Sequence, residues 1–488
     1  MSRLVPALLV LFVVSELLAA DRPFELRVID SDTGRGIPLV EIETVNRIPY
    51  VTDSAGRVAF DEPGLLGQRV FFEMRSHGYE VPKDAFGAVG ASVMATPGGR
   101  AEVKLKRRNI AERLYRITGQ GIYSDSIKLG HQAPLKQPLL NGLVVGQDST
   151  LAVPYRGKVR WFWGDTSRPA HPLGHFQTAG ATSLLPKDGG LDPSIGVDLT
   201  YFTREDGFSR PMAPLPEQGL VWIDGVLTVA DGAGREVMVA HFSRRKDLGT
   251  QLEHGLLTYD DNKDVFVRAK TLDEKNSWRH PRGQATLHEG YWYFSHPFAT
   301  TRVRATLADV LNPDRYEAFG PGQQATGSSA YEFGVDREPI DQKSEAAALK
   351  KNAAQLPSPQ LQLVAADSGQ AVTAHAGSIR WNQHRQRWVL ITAQIGGTSF
   401  LGEVWYAEAQ HITGPWSKAV KVVTHEKYSF YNPVQHAFFD ADNGKSIYFE
   451  GTYTLTFSGN TRPTPRYEYN QVMYRLDVDD PRLAAVRQ

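Results

Sequence analysis

The stretch STLAVPYRGKVRWFWGDT, residues 149–166, indicates two short strands joined by a glycine turn, with aromatic residues entering the second strand. The same plan recurs at residues 219–242, 285–297, 377–394, 402–416 and 436–453. Units spaced roughly 50 to 80 residues apart are typical of propeller blades with inserted loops. Residues 123–488 are therefore predicted to form a β-propeller of about five blades, closed by pairing of residues 470–478 with the segment near Tyr123.

A different all-β unit precedes these repeats. Residues 24–107 contain short alternating strands at close spacing, which is typical of a small β-sandwich. We expect the sandwich over residues 21–108, followed by a linker with a short helical segment over residues 109–122. A charged, alanine-rich stretch near residues 336–363 predicts an exposed helical insertion between two blades. The length of 488 residues agrees with two domains.

The first twenty residues, MSRLVPALLVLFVVSELLAA, have a positive start, an apolar run and small residues near the end. This pattern predicts a secretory signal peptide over residues 1–20, and the apolar run is short for a membrane span. We expect a secreted or periplasmic protein that leaves the membrane after cleavage. An uncleaved anchor is the alternative.

Charge and cysteine content narrow the function classes. Lys plus Arg and Asp plus Glu number 54 each, which argues against nucleic acid as a partner but leaves an anionic sugar open. The absence of cysteine excludes disulfides, zinc–thiolate sites and cysteine nucleophiles. One alternative is that Asp30, Asp32 and Asp53 bind a structural calcium ion. Their turn-rich contexts favour hydrogen bonds to the local backbone instead. No other cofactor is predicted, and we expect a monomer.

Three carboxylates are candidates for catalysis. Asp148 begins one strand of the 149–166 hairpin and Asp165 ends the next, so both side chains are predicted to meet at one rim. Paired carboxyl groups are what glycosidases use as acid and as base or nucleophile. Glu450 follows apolar strand residues, and a carboxyl at a channel-facing strand end would have the raised pKa that an acid needs. The alternatives are turn capping for the two aspartates and a salt bridge for Glu450.

Further residues are candidates for binding a sugar. Aromatic rings stack on sugar faces, histidines donate or accept hydrogen bonds, and arginine can grip a carboxylate or sulfate bidentately. For each of these residues the alternative is a packed or surface side chain. The predicted substrate-binding residues are Trp163, His280, His375, Arg380, His436, Arg466 and Tyr467.

Short motifs in the second unit resemble those of a known superfamily. The tetrapeptide GQDS at residues 146–149, WFWGDT at 161–166, GSIRWN at 377–382 and EVWYA at 403–407 resemble blades of five-bladed propeller glycosidase-like proteins, which include arabinanases and fructosidases. The resemblance covers roughly residues 123–479 and implies action on carbohydrate, with Asp148 matching the first-blade acid. No second-blade or third-blade carboxylate carries over from the motifs.

The first unit resembles another family. The motifs SDTG at residues 31–34, TDSAGR at 52–57 and SHGY at 76–79 are similar to the carboxypeptidase regulatory-like, transthyretin-type module. That resemblance implies an accessory sandwich with no chemistry of its own.

These observations predict a secreted protein whose partner is a polysaccharide or oligosaccharide, most simply a glycoside hydrolase. A polysaccharide lyase with a His or Tyr base and a neutralising Arg is one alternative. A non-catalytic carbohydrate-binding or surface-assembly propeller is the other. Carboxylates that converge in a deep pocket would favour hydrolysis, because fold alone does not decide function.

Overall fold

The computed structural model describes residues 22–175, 177–272, 274–323, 329–352, 358–398 and 400–487. The signal peptide predicted for residues 1–20 lies outside these ranges. The described part of the chain is all-β, with many sheets and only short helices. No helix in it is long and apolar enough to span a membrane.

Two four-stranded sheets enclose the first core. Their strands are β1 (Phe24–Asp30), β2 (Glu41–Thr44), β3 (Pro49–Val51), β4 (Arg57–Phe60), β5 (Arg69–Arg75), β6 (Tyr79–Glu80), β7 (Gly90–Met94) and β8 (Arg100–Arg107). One sheet has the order β4-β1-β8-β6 and the other β3-β2-β5-β7. Alternate residues of β5, Val70, Phe72 and Met74, point into the core that both sheets share.

The rest of the chain builds the second unit. Its first elements are β9 (Glu112–Arg116), α1 (Ser124–Lys128), β10 (Gly146–Gln147), β11 (Leu151–Tyr155), β12 (Lys158–Trp163), β13 (Thr166–Arg168), β14 (His171–His175), β15 (Ala179–Ser183), β16 (Thr200–Tyr201), β17 (Leu220–Ala230), β18 (Glu236–Arg245), β19 (Gln251–Asp260) and β20 (Val265–Thr271). The remaining ones are β21 (Gln284–His288), β22 (Tyr291–Ser295), β23 (Ala299–Arg304), α2 (Leu307–Val310), β24 (Glu317–Gln323), β25 (Ser329–Gly334), α3 (Gln342–Asn352), β26 (Val364–Ala365), β27 (Ala374–Asn382), β28 (Arg387–Gln394), β29 (Glu403–Ala409), β30 (Lys418–Thr424), β31 (Ser429–Gln435), β32 (Ser446–Thr454) and β33 (Asn470–Asp477).

Five sheets of four or five strands follow one another in the described part of this unit. Their orders are β11-β12-β15-β16, β17-β18-β19-β20, β21-β22-β23-β24-β25, β27-β28-β29-β30-β26 and β31-β32-β33-β9, and a small sheet, β10-β13-β14, lies beside the first. The first strands pack in sequence, β11 on β17, β17 on β21, β21 on β27 and β27 on β31. Ser149, just before β11, joins the last sheet to the first. Its amide donates to Thr452 Oγ1 at 3.0 Å and its hydroxyl accepts from Asn432 Nδ2 at 2.8 Å.

The segment predicted as a helical linker is a strand. β9 pairs antiparallel with β33, the last strand, with Arg116 opposite Val472 and Tyr115 opposite Met473. All five residues of β9 are buried. Burial against the core outweighs the local helical preference of this segment, because propensity is a weak prior beside tertiary packing. The last strand therefore pairs with residues 112–116, and not with the segment near Tyr123 that the sequence predicted.

Helix α3 lies within the predicted insertion, but one of its charges is not on a solvated face. Glu345 is 1% exposed. Its carboxylate accepts hydrogen bonds from the Gln360 amide at 2.7 Å and the Leu361 amide at 2.9 Å. The helix is thereby bound to the chain that follows it.

The aspartates considered as calcium ligands have other hydrogen-bond and ion-pair partners. Asp30 Oδ1 accepts from the Asp32 amide at 2.8 Å, and its Oδ2 lies 2.8 Å from Arg107 Nε. Asp53 Oδ2 accepts from the Ser126 amide of the second unit at 2.7 Å. These donors occupy the oxygens that a cation would need. No group of three or more metal-ligating side chains placed to hold an ion occurs in the described ranges.

Candidate active site

A cavity of about 1320 Å³ lies where the first strands of the five sheets approach one another. Each sheet contributes to its lining, for example through Leu151, Trp222, Gln284, Gly377 and Tyr431. Asp148 and Asp165 both line it, as the hairpin in the sequence predicts. A cavity that gathers polar groups from several elements is the usual form of a binding or active site.

Asp148 and Asp165 are held together by backbone contacts. Asp148 precedes β11 and Asp165 follows β12, so the ends of this hairpin bring them side by side. The Asp165 amide donates to Asp148 Oδ1 at 2.9 Å, and the Asp148 amide donates to the Asp165 carbonyl at 3.3 Å. A Cβ on Gly164 would lie 2.5 Å from Asp148 Oδ1, so the carboxylate position requires glycine there.

The two carboxyl groups differ in their surroundings. Burial, followed by the charge of Asp148, raises the pKa of Asp165 to about 7. Asp165 Oδ1 is buried and has no hydrogen-bond partner among the described residues. Burial also raises the pKa of Asp148, but hydrogen bonds from Tyr431 and Tyr469 act in the opposite direction. The Tyr431 hydroxyl donates to Asp148 Oδ2 at 2.7 Å. These donors favour the ionised form of Asp148, whose charge in turn helps Asp165 to keep its proton.

Backbone strain is concentrated around this pair. Ser149, Asn432 and Tyr469 line the cavity with φ values of 56°, 49° and 70°, a region that non-glycine residues seldom adopt. Asn432 lies in an irregularity of β31 between Tyr431 and Val434. Such conformations cost energy and cluster at functional sites. Here they turn the Tyr431 and Tyr469 side chains toward Asp148.

Asp224, which sequence reasoning missed, is a third carboxylate at the cavity. The register of β17 against β18 shifts between Ile223 and Gly225, so Asp224 is the extra residue of a bulge. Bulges re-aim side chains next to active sites. Burial raises the pKa of Asp224, and its Oδ2 has no hydrogen-bond partner in the described chain. The sequence signal was an aspartate–glycine pair that interrupts the apolar strand VWIDGVLTV.

Glu450 is not at the cavity, contrary to the prediction. It lies in β32, the second strand of its sheet, and is fully buried. Its Oε1 lies 2.6 Å from Nε2 of His436, and its Oε2 accepts from Thr150 Oγ1 at 3.1 Å. His436, predicted to bind substrate, is therefore a buried partner of Glu450. The two form a satisfied polar pair behind the cavity wall.

Trp163 and the two other predicted histidines also lie outside the cavity lining. Trp163 is 1% exposed and packs on Trp161 with ring centroids 6.2 Å apart. His280 stacks on His254 at 4.8 Å, with its Nε2 4.0 Å from Asp224 Oδ2, so it lies behind that carboxylate. His375 is half-buried beside the lining residues that follow it.

The predicted cationic and tyrosine ligands are engaged elsewhere. Arg380 lies between the third and fourth sheets and donates to the Ala285 carbonyl at 3.2 Å. Arg466 lies 3.5 Å from Asp125, and Tyr467 packs under the Arg116 guanidinium at 3.6 Å. The cavity takes the neighbouring residues Glu468 and Tyr469 instead. The backbone is left-handed at positions 466 and 469.

No protein-family model matches the chain, and no curated protein matches it either. Solved structures with similar folds include an exo-β-1,3-galactanase from Phanerochaete chrysosporium with galactose, at 9% identity and a TM-score of 0.36, covering 75% of this chain and 65% of that chain. An exo-1,5-α-L-arabinanase from a bovine ruminal metagenomic library has 11% identity and a TM-score of 0.34, covering 69% and 94%. A thermostable family-43 glycoside hydrolase has 9% identity and a TM-score of 0.33, covering 69% and 90%. Similarity at this level assigns no family to the chain, so the functional argument depends on the cavity residues.

Proposed function

We propose that this chain is a glycoside hydrolase that cleaves a polysaccharide or oligosaccharide in the central cavity. The observation that carries the proposal is the Asp148–Asp165 pair. Both residues line one cavity, the Asp165 amide donates to Asp148 Oδ1, and the two carboxyl groups have different hydrogen-bond surroundings. Glycosidases need one protonated and one ionised carboxyl group beside the scissile bond.

Asp165 is the general acid in this proposal. Its pKa of about 7 keeps it largely protonated below pH 7, and the residue lines the cavity in which a glycosidic oxygen would bind. Asp148 is the ionised partner, since the Tyr431 hydroxyl and the Asp165 amide both donate to its oxygens. It activates a water molecule or attacks the sugar carbon directly. Asp224 is placed to accept hydrogen bonds from sugar hydroxyls.

The proposed architecture is a five-bladed β-propeller preceded by a transthyretin-type β-sandwich. The sequential packing of five first strands and the return contact at Ser149 support the propeller. Two sheets around one core support the sandwich, which we propose is an accessory module. Residues 1–20 support export through a signal peptide. The cavity, at about 1320 Å³, exceeds the 300–1,000 Å³ of common small-molecule sites and suits a segment of several sugar residues.

The two other function classes have less support. A lyase would use a His or Tyr base beside a neutralising Arg. The predicted histidines His280, His375 and His436 do not line the cavity. His296, Tyr431 and Arg282 do line it, but the Tyr431 hydroxyl donates to Asp148, which supports a carboxylate-centred reaction more directly. A purely binding propeller gives no reason for two adjacent carboxyl groups with an unpaired buried oxygen, which cost stability.

The test is incubation of the purified protein with neutral, sulfated and uronate polysaccharides, scoring reducing ends and unsaturated products together. We expect reducing ends without unsaturated products on at least one substrate. The rate should fall as pH rises through about 7, because Asp165 then loses the proton that it must donate. Asp148→Asn and Asp165→Asn should abolish turnover with the fold intact. Binding to a polysaccharide without any product from the unaltered protein would overturn the hydrolase proposal.

A further inference from the structure

Three basic side chains cluster at the second sheet on one side of the cavity. Lys246 and Arg282 line it, and Arg245 lies behind them against Trp222, with its guanidinium 5.0 Å from the ring centroid. None of the three forms an ion pair with any residue in the described ranges. The adjacent Arg244, by contrast, pairs with Glu253 at 2.9 Å.

Arg245 and Arg282 are close enough to repel each other. Burial and then the charge of Arg282 lower the pKa of Arg245, whose side chain is 8% exposed and donates to the Leu248 carbonyl at 3.1 Å. Like charges in a partly buried site cost free energy. The chain as a whole has equal numbers of acidic and basic residues, so this local excess is not a consequence of overall basicity.

The nearest carboxylate does not neutralise the cluster. Burial raises the pKa of Asp224 and outweighs the charge of Arg282, which acts in the opposite direction. No ion pair joins these two side chains within the described residues. No cation is among the groups that shift the pKa of Asp165. Arg168, another basic residue of the lining, already lies 3.6 Å from Asp206. The Asp148–Asp165 pair thus lies on one side of the cavity. The other side carries Lys246, the exposed Arg282 and Asp247, whose pKa is lowered by hydrogen bonds from Thr250 and, less strongly, by the charge of Lys246. Among the described residues, Arg282 has no ion-pair partner.

We propose that the sugar bound in this cavity carries an anionic substituent, a carboxylate or a sulfate, that Arg282 binds with support from Lys246. The planar guanidinium matches both groups bidentately. An anion there would offset the repulsion between Arg245 and Arg282, and it would be disfavoured beside Asp148. This inference rests on the proposed function, because it assigns the substrate class of the same cavity.

The test is calorimetric binding of matched oligosaccharide pairs to the Asp165→Asn protein, which holds substrate without turnover. The probes are uronate oligosaccharides with their carboxyl-reduced forms, and sulfated oligosaccharides with their desulfated forms. At least one anionic member should bind about tenfold more tightly than its neutral counterpart, and Arg282→Gln should remove that difference. Arg282→Lys should keep part of it, because it retains the charge but not the bidentate geometry. Arg304→Gln, an exposed arginine outside the cavity lining, is the control and should change nothing.

The pair that responds distinguishes a carboxylate from a sulfate. The inference is overturned if no anionic probe binds more tightly than its neutral form, or if Arg282→Gln leaves the preference intact. Cleavage of a neutral polysaccharide without anionic preference would overturn this inference and leave the hydrolase standing. Anion-dependent binding without cleavage by the unaltered protein would do the reverse.

Discussion

The second unit holds two pairs that each contain a carboxylate: Glu450–His436, which is fully buried, and Asp148–Asp165, which is half-buried at the cavity. Their hydrogen bonds differ. In the Glu450–His436 pair both carboxylate oxygens have partners, one in the histidine and one in Thr150. In the Asp148–Asp165 pair, Asp165 Oδ1 has none among the described residues. Buried polar groups are nearly always satisfied, and exceptions need an explanation. Two features therefore distinguish the candidate catalytic pair from Glu450–His436: it lines the cavity, and one of its carboxyl oxygens has no hydrogen-bond partner among the described residues.

Strand position explains the difference. Glu450 lies within a ladder, opposite Val434 on one side and Met473 on the other, so its side chain stays in the layer between sheets. Asp148 and Asp165 lie between two ladders, β10–β13 on one side and β11–β12 on the other, at the point where the chain passes from one sheet to the next. The same residue chemistry serves packing in one place and is open to a ligand in the other.

Removal of the acid should give the largest effect. Asp165→Asn should lower kcat by about 10²- to 10⁴-fold, the usual contribution of general acid–base catalysis. The variant should also gain stability relative to the unaltered protein as pH rises from 3.8 to about 7, because over that range the unfolded chain ionises Asp165 while the folded protein keeps the carboxyl protonated. Steady-state kinetics and thermal unfolding across pH test both points. A variant with near-normal kcat would place the acid elsewhere.

A change at Gly164 should displace Asp148 without altering its chemistry. Gly164→Ala puts a Cβ 2.5 Å from Asp148 Oδ1, so the carboxylate must move. We expect a loss in kcat of roughly 10²-fold, since a misplacement near 1 Å can cost that much. Gly232→Ala is the matched control, because a Cβ there meets no atom within 4 Å. Equal kinetics in the two variants would show that the position of Asp148 does not matter.

Tyr431→Phe should shift the pH profile more than the maximal rate. Its hydroxyl stabilises ionised Asp148, so its removal should raise the pKa of Asp148 and move the acidic limb of kcat/KM upward by about one pH unit. Tyr201→Phe is the control, since it removes a buried tyrosine hydrogen bond, 2.7 Å long and made to Gln147, that does not involve the Asp148 carboxylate. An acidic limb that moves equally in both variants would point to a general loss of packing.

The sequence predicted the Asp148–Asp165 pair because a hairpin joins its own ends through local geometry alone. It did not distinguish Glu450 from these residues, since whether a strand lies first or second in its sheet depends on how distant segments assemble. Asp224 was missed because only a bulge turns it toward the cavity. Tyr469 was missed in favour of Tyr467 because a positive φ of 70° changes which residue faces inward.

The smallest expected effect on catalysis is at Glu450. Glu450→Ala leaves the His436 ring and the Thr150 hydroxyl buried without their acceptor, which should cost about 1–3 kcal/mol of unfolding free energy in addition to the cavity left behind. Because Glu450 does not line the active-site cavity, kcat of the folded fraction should stay close to that of the unaltered protein. Denaturant unfolding with activity measured per folded molecule tests this. A large fall in kcat at unchanged stability would return Glu450 to the catalytic set and erase the contrast between the two pairs.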